Sequence, residues 1–288
     1  MYKVVTKRFL NEAKTICLFE IEAPLVAKHA QAGQFVIFRL DEQGERVPVS
    51  VAGWDWEKGT VTVMVQAAGR TTRMLHTVEQ GDYITDFVGP LGKATEIEGL
   101  KKVCVVGGGV GCAIAYPIAK VMHEAGVEVT FIAGFRSADI VILKEELAAV
   151  SDKLIMCTDD GSYGEKGFTT QYLQQEIEAN IKENKPQFDR VIAIGPDIMM
   201  KFLAEVTRPY GIKTIISLDP IMVDGTGMCG GCRVIVGGET KFACVDGPDF
   251  DAHEVDFDSL IKRAAFYKEE QDEAAKHICN MTGGKRNG

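Results

Sequence analysis

The sequence predicts an antiparallel β-barrel followed by a doubly wound α/β domain and a small cysteine-rich loop domain. Three observations carry that reading. The first hundred residues hold short segments with period-two patterning, separated by turns rich in Gly, Asp and Glu. From residue 100 onward, apolar strands alternate with helical stretches, the pattern of a parallel sheet. From residue 219 the chain becomes rich in Gly and Cys.

In the first region, residues 60–65 (Thr-Val-Thr-Val-Met-Val) alternate as a half-buried strand does. Residues 14–21, 34–40, 46–50 and 83–88 read as further strands, and short strands at this spacing suit a small barrel over residues 1–98. Residues 73–75 look helical. The second region, 99–218, opens with the apolar strand 103–106, a glycine turn and a helix, and residues 127–133, 154–158 and 191–194 supply more strands. Residues 219–255 form the cysteine-rich domain, and 256–288 a terminal helix, running to about residue 277, with a polar tail. The apolar stripe of that helix (Leu260, Ile261, Ala264, Ala265 and Tyr267) is expected to pack on its own domain, with docking to a partner as the other reading.

A chain of 288 residues with 46% apolar content fills more than one core. A net charge of -9 argues against nucleic acid or an anionic membrane as partner. No apolar stretch is long enough to span a bilayer; residues 103–119 come nearest and are interrupted by glycines and Pro117. No apolar signal region follows the N-terminus, and Cys17, Cys104, Cys112, Cys157 and Cys279 are scattered, mostly in apolar runs, as free thiols. The expectation is a soluble cytoplasmic protein.

The densest chemistry lies in Asp224-Gly-Thr-Gly-Met-Cys229-Gly-Gly-Cys232, followed by Cys244. Three thiols in the spacing C-x2-C-x11-C suit a soft metal, and glycines let the loop close around it. With Asp224 in the place of a first cysteine, the stretch matches the plant-type iron–sulfur pattern C-x4-C-x2-C…C. Structural zinc is the alternative, since one oxygen and three sulfurs also make a tetrahedron.

Gly107, Gly108, Gly109, Val110 and Gly111 lie between a strand and a helix, where a backbone turn cradles phosphate. Cys112 takes the place of the third glycine of G-x-G-x-x-G, and a tight turn without ligand is the plainer alternative. The next strand ends in Gly134-Phe135-Arg136-Ser137, with no acid to grip a ribose; Arg136 suits a 2′-phosphate or a solvated surface. Gly195 and Pro196 follow a later strand. Asp159 or Asp160 can hold a ribose or nicotinamide group, with capping of the turn as the default. In the barrel, Arg46, Val47, Pro48, Val49 and Ser50 offer a rigid strand with Arg46, Pro48 and Ser50 on one face, suited to a flat cofactor with Arg46 on a phosphate. Gly69, Thr71 and Thr72, with Gln66, complete this candidate set, the first three as donors to the same pyrophosphate.

In this order, the Arg46–Ser50 strand, the Gly107–Gly111 turn, Gly195-Pro196-Asp197-Ile198-Met199 and the cysteine loop resemble the ferredoxin-NADP reductase superfamily. Within it, the chain is similar to the electron-transfer subunits of dihydroorotate dehydrogenase B. That resemblance implies FAD in the barrel, a nicotinamide nucleotide on a Rossmann-like domain and a 2Fe-2S cluster near the C-terminus. One departure selects the branch: Asp224 replaces the first of four cysteines. An Asp with three Cys resembles the small (alpha) subunits of NADH-dependent reduced ferredoxin:NADP oxidoreductases, which are sulfide dehydrogenase subunit-like. Residues 219–228 and 242–248 are also similar to that group, whereas Thr71 stands where relatives place glycine.

The resemblance implies electron bifurcation. This chain would exchange hydride with NAD(H) at its FAD, and single electrons with a partner through the cluster ligated by Asp224, Cys229, Cys232 and Cys244. The implied partner is a larger FAD and 4Fe-4S subunit that binds NADPH and serves ferredoxin. Ser50 would lie near the reactive edge of the flavin, and the oxygen ligand would change the cluster potential. Arg136 leans towards NADP while the resemblance implies NAD(H). Two alternatives stay open: the electron-transfer subunit of NAD-dependent dihydroorotate dehydrogenase, and a nucleotide- or redox-sensing module with zinc. The latter leaves Arg46–Ser50 without a role, and visible absorption separates the two metals.

Overall fold

The computed structural model describes residues 1–266. The remainder of the expected terminal helix, with Tyr267 and Cys279, lies outside the described residues. The fold class agrees with the sequence reading: a nearly closed antiparallel barrel, a parallel-sheet α/β domain and a C-terminal loop module.

The barrel comprises β1 (Tyr2–Phe9), β2 (Ile16–Glu22), β3 (Phe35–Arg39), β4 (Val47–Asp55), β5 (Thr60–Gln66), β6 (Tyr83–Ile84) and β7 (Asp86–Leu91), in the order β6-β1-β2-β5-β4-β3-β7. The β2/β5 register sets Cys17, Phe19 and Ile21 opposite Val65, Val63 and Val61, and all six are buried. Cross-strand apolar pairs of this kind fix the register, because a one-residue slip would turn them all to solvent. The expected strand 83–88 is two strands. At Thr85, whose N–H donates to the Arg39 carbonyl, the chain leaves the side of β1 for that of β3. Two short helices accompany the barrel, α1 (Pro24–His29) and α2 (Arg70–Leu75).

The second sheet contains β8 (Lys102–Gly108), β9 (Glu128–Phe135), β10 (Lys153–Thr158), β11 (Glu165–Lys166), β12 (Arg190–Ile194) and β13 (Thr214–Ser217), all parallel. Helices α3 (Gly111–Glu124), α4 (Lys144–Ala149), α5 (Thr169–Lys182) and α6 (Asp197–Thr207) connect them. After β13 the chain runs through the cysteine loop into a hairpin of β14 (Arg233–Val236) and β15 (Glu239–Phe242). It then returns to the large sheet as β16 (Asp249–Asp251), antiparallel to β13. The sheet order is β11-β10-β9-β8-β12-β13-β16.

Helix α7 (Phe257–Ala264) is capped by the Asp256 carboxylate, which accepts from the Ser259 N–H. It packs on α6, and Lys201 and Asp258 pair across them at 2.8 Å. Of the expected apolar stripe, Leu260 is buried and Ile261 packs on the same core, whereas Ala264 and Ala265 are exposed. That core also holds Cys232, Cys244, Phe35 and Ile37, so barrel, sheet and cysteine module share one apolar interior.

Candidate nucleotide cavity and metal loop

A cavity of about 1340 Å³ opens where the three parts meet. Pro48, Val49 and Ser50 from β4, and Gln66 at the end of β5, form its barrel wall. Gly108, Gly109, Val110 and Gly111 at the β8–α3 turn, Arg136 and Ser137 after β9, Asp159 after β10, and Gly195 and Pro196 after β12 form the opposite wall. Carboxyl edges of parallel strands are where such sheets take ligands. Asp159, from the neighbouring strand β10, lines the cavity where β9 has no acid at its tip.

The other expected residues lie off this wall. Arg46 turns to the cysteine loop, its Nε donating to the Val223 carbonyl at 2.6 Å. Val47 packs on the barrel core. Thr71 donates to the Glu45 carboxylate at 2.5 Å. The Thr72 hydroxyl accepts from the amides of Ala68 and Gly69 and donates to the Gly69 carbonyl, closing the start of α2 beside extended Gly69. Asp160 accepts from the Ser162 hydroxyl and amide, which hold its carboxyl below the usual range; it caps its own turn.

The glycines divide by cause. A Cβ on Gly107 would lie 2.7 Å from the Cys112 sulfur, and one on Gly108 2.5 Å from the Met199 sulfur. A Cβ on Gly111 would overlap the Ile194 carbonyl. Gly108 and Gly111 let the β8–α3 and β12–α6 turns pack against each other, while Gly107 lets the β8–α3 turn close on its own Cys112. Gly109 differs: its φ is +57°, and a Cβ there would meet no protein atom within 4 Å. Its N–H donates to the Gly134 carbonyl at 2.8 Å, so what Gly109 leaves to the cavity is open space beside its Cα, room for a pyrophosphate to approach the turn.

Sequence reasoning missed several wall residues. Phe35, Phe202 and Arg263 line the cavity, as do the acids Asp197 and Asp219. Asp219 is open to the cavity yet deep within the protein, and burial followed by the charge of Asp197 pushes its carboxyl up to about 6. Burial also raises Asp197. Phosphates would be repelled by this pair, so the polyanionic part of a ligand belongs at the Gly109 and Arg136 end. The signal for Asp219 was its position directly after β13, a strand the sequence did not reveal.

In the loop, the Asp224 carboxylate accepts from the amides of Thr226 (3.0 Å) and Cys229 (2.9 Å) and from the Thr226 hydroxyl (3.2 Å). These bonds, the Thr226 amide foremost, hold its carboxyl below the usual range. Cys229 is exposed, and its sulfur accepts from the Gly231 amide at 3.4 Å. Cys232 and Cys244 are buried side by side; burial and Cys232 push the Cys244 thiol up to about 12. Such a thiol ionises on a metal, whose charge deprotonates it outright. Among the described residues, no three His, Cys, Asp or Glu side chains are already drawn together around one metal ion. The donor set itself, Asp224, Cys229 and Cys232 of the glycine-rich loop with Cys244 just after the β14–β15 hairpin, fits an iron–sulfur group.

Comparison with known proteins follows this geometry. Residues 219–256 match the iron–sulfur cluster binding domain of dihydroorotate dehydrogenase B. A homologue of the NAD(+)-dependent dihydroorotate dehydrogenase B electron transfer subunit from Thermotoga maritima is 48% identical, over 94% of each chain. A protein of the adh 3′ region of Clostridium beijerinckii is 49% identical over 96% of this chain and 94% of its own. Among solved structures, a chain of the NADH-dependent reduced ferredoxin-NADP oxidoreductase, studied for flavin-based electron bifurcation, superposes with a TM-score of 0.88 at 43% identity, covering 97% of this chain and 98% of that one. Phthalate dioxygenase reductase, at 16% identity and a TM-score of 0.58, shares the fold. The chain therefore belongs to the family of dihydroorotate dehydrogenase B electron-transfer subunits and their homologues, and is an oxidoreductase subunit of the flavin and iron–sulfur kind.

Proposed function

We propose that this chain is the FAD- and 2Fe-2S-carrying subunit of an electron-bifurcating NADH-dependent ferredoxin:NADP oxidoreductase, working with NAD(H) in the cytoplasm. The observation that carries the reading is the near full-length likeness to that enzyme's chain, joined to Asp224 at the head of a three-cysteine loop. The partner is a larger subunit with a second FAD and 4Fe-4S clusters, which binds NADPH and serves ferredoxin.

When bound, flavin and cluster together supply the conversion between hydride and single electrons. The protein groups have separable tasks. Pro48, Val49, Ser50 and Gln66 present one wall to a flat ring system. Gly109 leaves room for a pyrophosphate to approach the turn, and Asp159 offers a carboxylate to a ribose, an arrangement that favours NAD(H) over NADP(H). Arg136 stands at the same end and attracts the phosphates. Asp224, Cys229, Cys232 and Cys244 are the ligand set, and Asp224 also orders the loop through its bonds to Thr226 and Cys229.

The dihydroorotate dehydrogenase reading rests on the name of the matched domain and of the Thermotoga maritima relative. One experiment separates the two. The chain is purified anaerobically with its natural partner and assayed for ferredoxin reduction. Bifurcation requires NADPH and NAD together for that reduction; dihydroorotate-dependent NAD reduction by the same complex would replace it with the second reading.

A further inference from the structure

The two carbonyls between Cys229 and Cys232 are both held by arginines. Arg233 Nη1 donates to Gly230 at 3.2 Å, and Arg263 Nη2 donates to Gly231 at 3.1 Å. Their settings differ. Arg233 is exposed, whereas Arg263 is half-buried at the end of α7 and lines the cavity. The Gly231 amide, which donates to the Cys229 sulfur at 3.4 Å, shares its peptide with the Gly230 carbonyl. The carbonyl that Arg263 holds belongs to the next peptide, the one that enters Cys232. Arg263 thus has the cavity on one side and, on the other, the peptide that leads into the ligand Cys232. The helix that carries Arg263 is fixed independently: Leu260 is buried in the core that holds Cys232 and Cys244, and Lys201 pairs with Asp258.

We propose that Arg263 is a positioning residue that couples the cavity to the cluster. It fixes the peptide that enters Cys232, and its positive charge stabilises the electron that reduction adds. Hydrogen bonds to cluster sulfurs and nearby charge are what set such potentials. A half-buried cation acts with less solvent screening than an exposed one, so Arg263 outweighs Arg233. The inference rests on the ligand set given above for the cluster.

The test is an EPR-monitored redox titration of the full chain with its partner, comparing wild type with Arg263→Gln, Arg263→Lys and Arg233→Gln. Arg263→Gln keeps a donor but loses the charge. Its potential shifts downward, by more than that of Arg233→Gln, while Arg263→Lys stays near wild type with an altered line shape. An Arg263→Gln chain with the wild-type potential and spectrum overturns the proposal. Should that variant not assemble, Arg263→Lys decides, since a potential that falls although the charge is kept overturns the assignment to charge. A wild-type complex without a 2Fe-2S signal on reduction removes the ligand reading itself, an outcome distinct from an unmoved Arg263→Gln.

Discussion

Replacing Gly109 by Ala separates ligand binding from folding. At a φ of +57° an alanine costs about 1–2 kcal/mol of backbone energy, and its methyl meets no protein atom within 4 Å. The fold therefore survives. The methyl instead occupies the space in which a pyrophosphate approaches the backbone. Displacing one charge-assisted hydrogen bond costs about 1.5–3 kcal/mol, roughly a ten- to hundredfold loss of NADH affinity. Gly111→Ala, three residues from the end of β8, should do the reverse: its methyl overlaps the Ile194 carbonyl, so two packed turns must move apart, at about 3 kcal/mol or more. The assay pairs titration calorimetry of NADH binding with thermal melts of both variants. Wild-type NADH affinity in Gly109→Ala would refute the cradle argument, as would a Gly111→Ala chain as stable as Gly109→Ala.

Three further outcomes are expected. Asp249, whose Oδ1 is buried without a partner and whose Oδ2 accepts from Thr95, has its carboxyl raised by burial from 3.8 to about 6. The folded state thus takes up this proton more readily than the unfolded one, so stability falls as pH rises from 3.8 to about 6 and stays reduced above. The difference corresponds to about 3 kcal/mol at most, so Asp249→Asn should be the more stable protein in urea at pH 8 and lose that advantage near pH 4; an advantage independent of pH would contradict this. Asp224→Ala removes three loop hydrogen bonds and a ligand together, and should lower iron content and visible absorption, while Asp224→Cys keeps the iron and changes the EPR spectrum. Arg46→Met cuts the bond to the Val223 carbonyl, worth about 1–2 kcal/mol, and should speed amide exchange in residues 223–229 about tenfold, read by mass spectrometry.

Legibility followed locality. The alternation of residues 60–65 and the apolar run of 127–133 were sufficient to place β5 and β9, because burial on one face or on both is written directly into such stretches. β1 escaped, since Tyr2–Phe9 reads as basic and only Val4 in it is buried; its pairing with β2 makes it a strand. β16, Asp-Phe-Asp, has no strand pattern at all and exists through β13. The glycine turns and the cysteine loop were readable because backbone geometry and metal chemistry demand specific residue types. Asp219 and Arg263 were not, since each reaches the cavity only after three parts of the chain have met. Arg46 shows the converse. Its motif was visible, but its acceptor lies 177 residues away.

The return of β16 to the large sheet bears on how electrons reach this protein. Residues 219–256 match a domain as a sequence, yet their first strand partner outside the hairpin is β13. They also bond to the barrel through Lys93 and Gly247, and Gly225 sits against Ile37 and Leu91. A two-stranded hairpin is marginal alone, and this one is mortared between its neighbours. It is a keystone rather than an arm. A shuttle that swung the cysteines between donor and acceptor would have to unzip a sheet edge on every turnover, so the distance from the cavity to the loop is a fixed span.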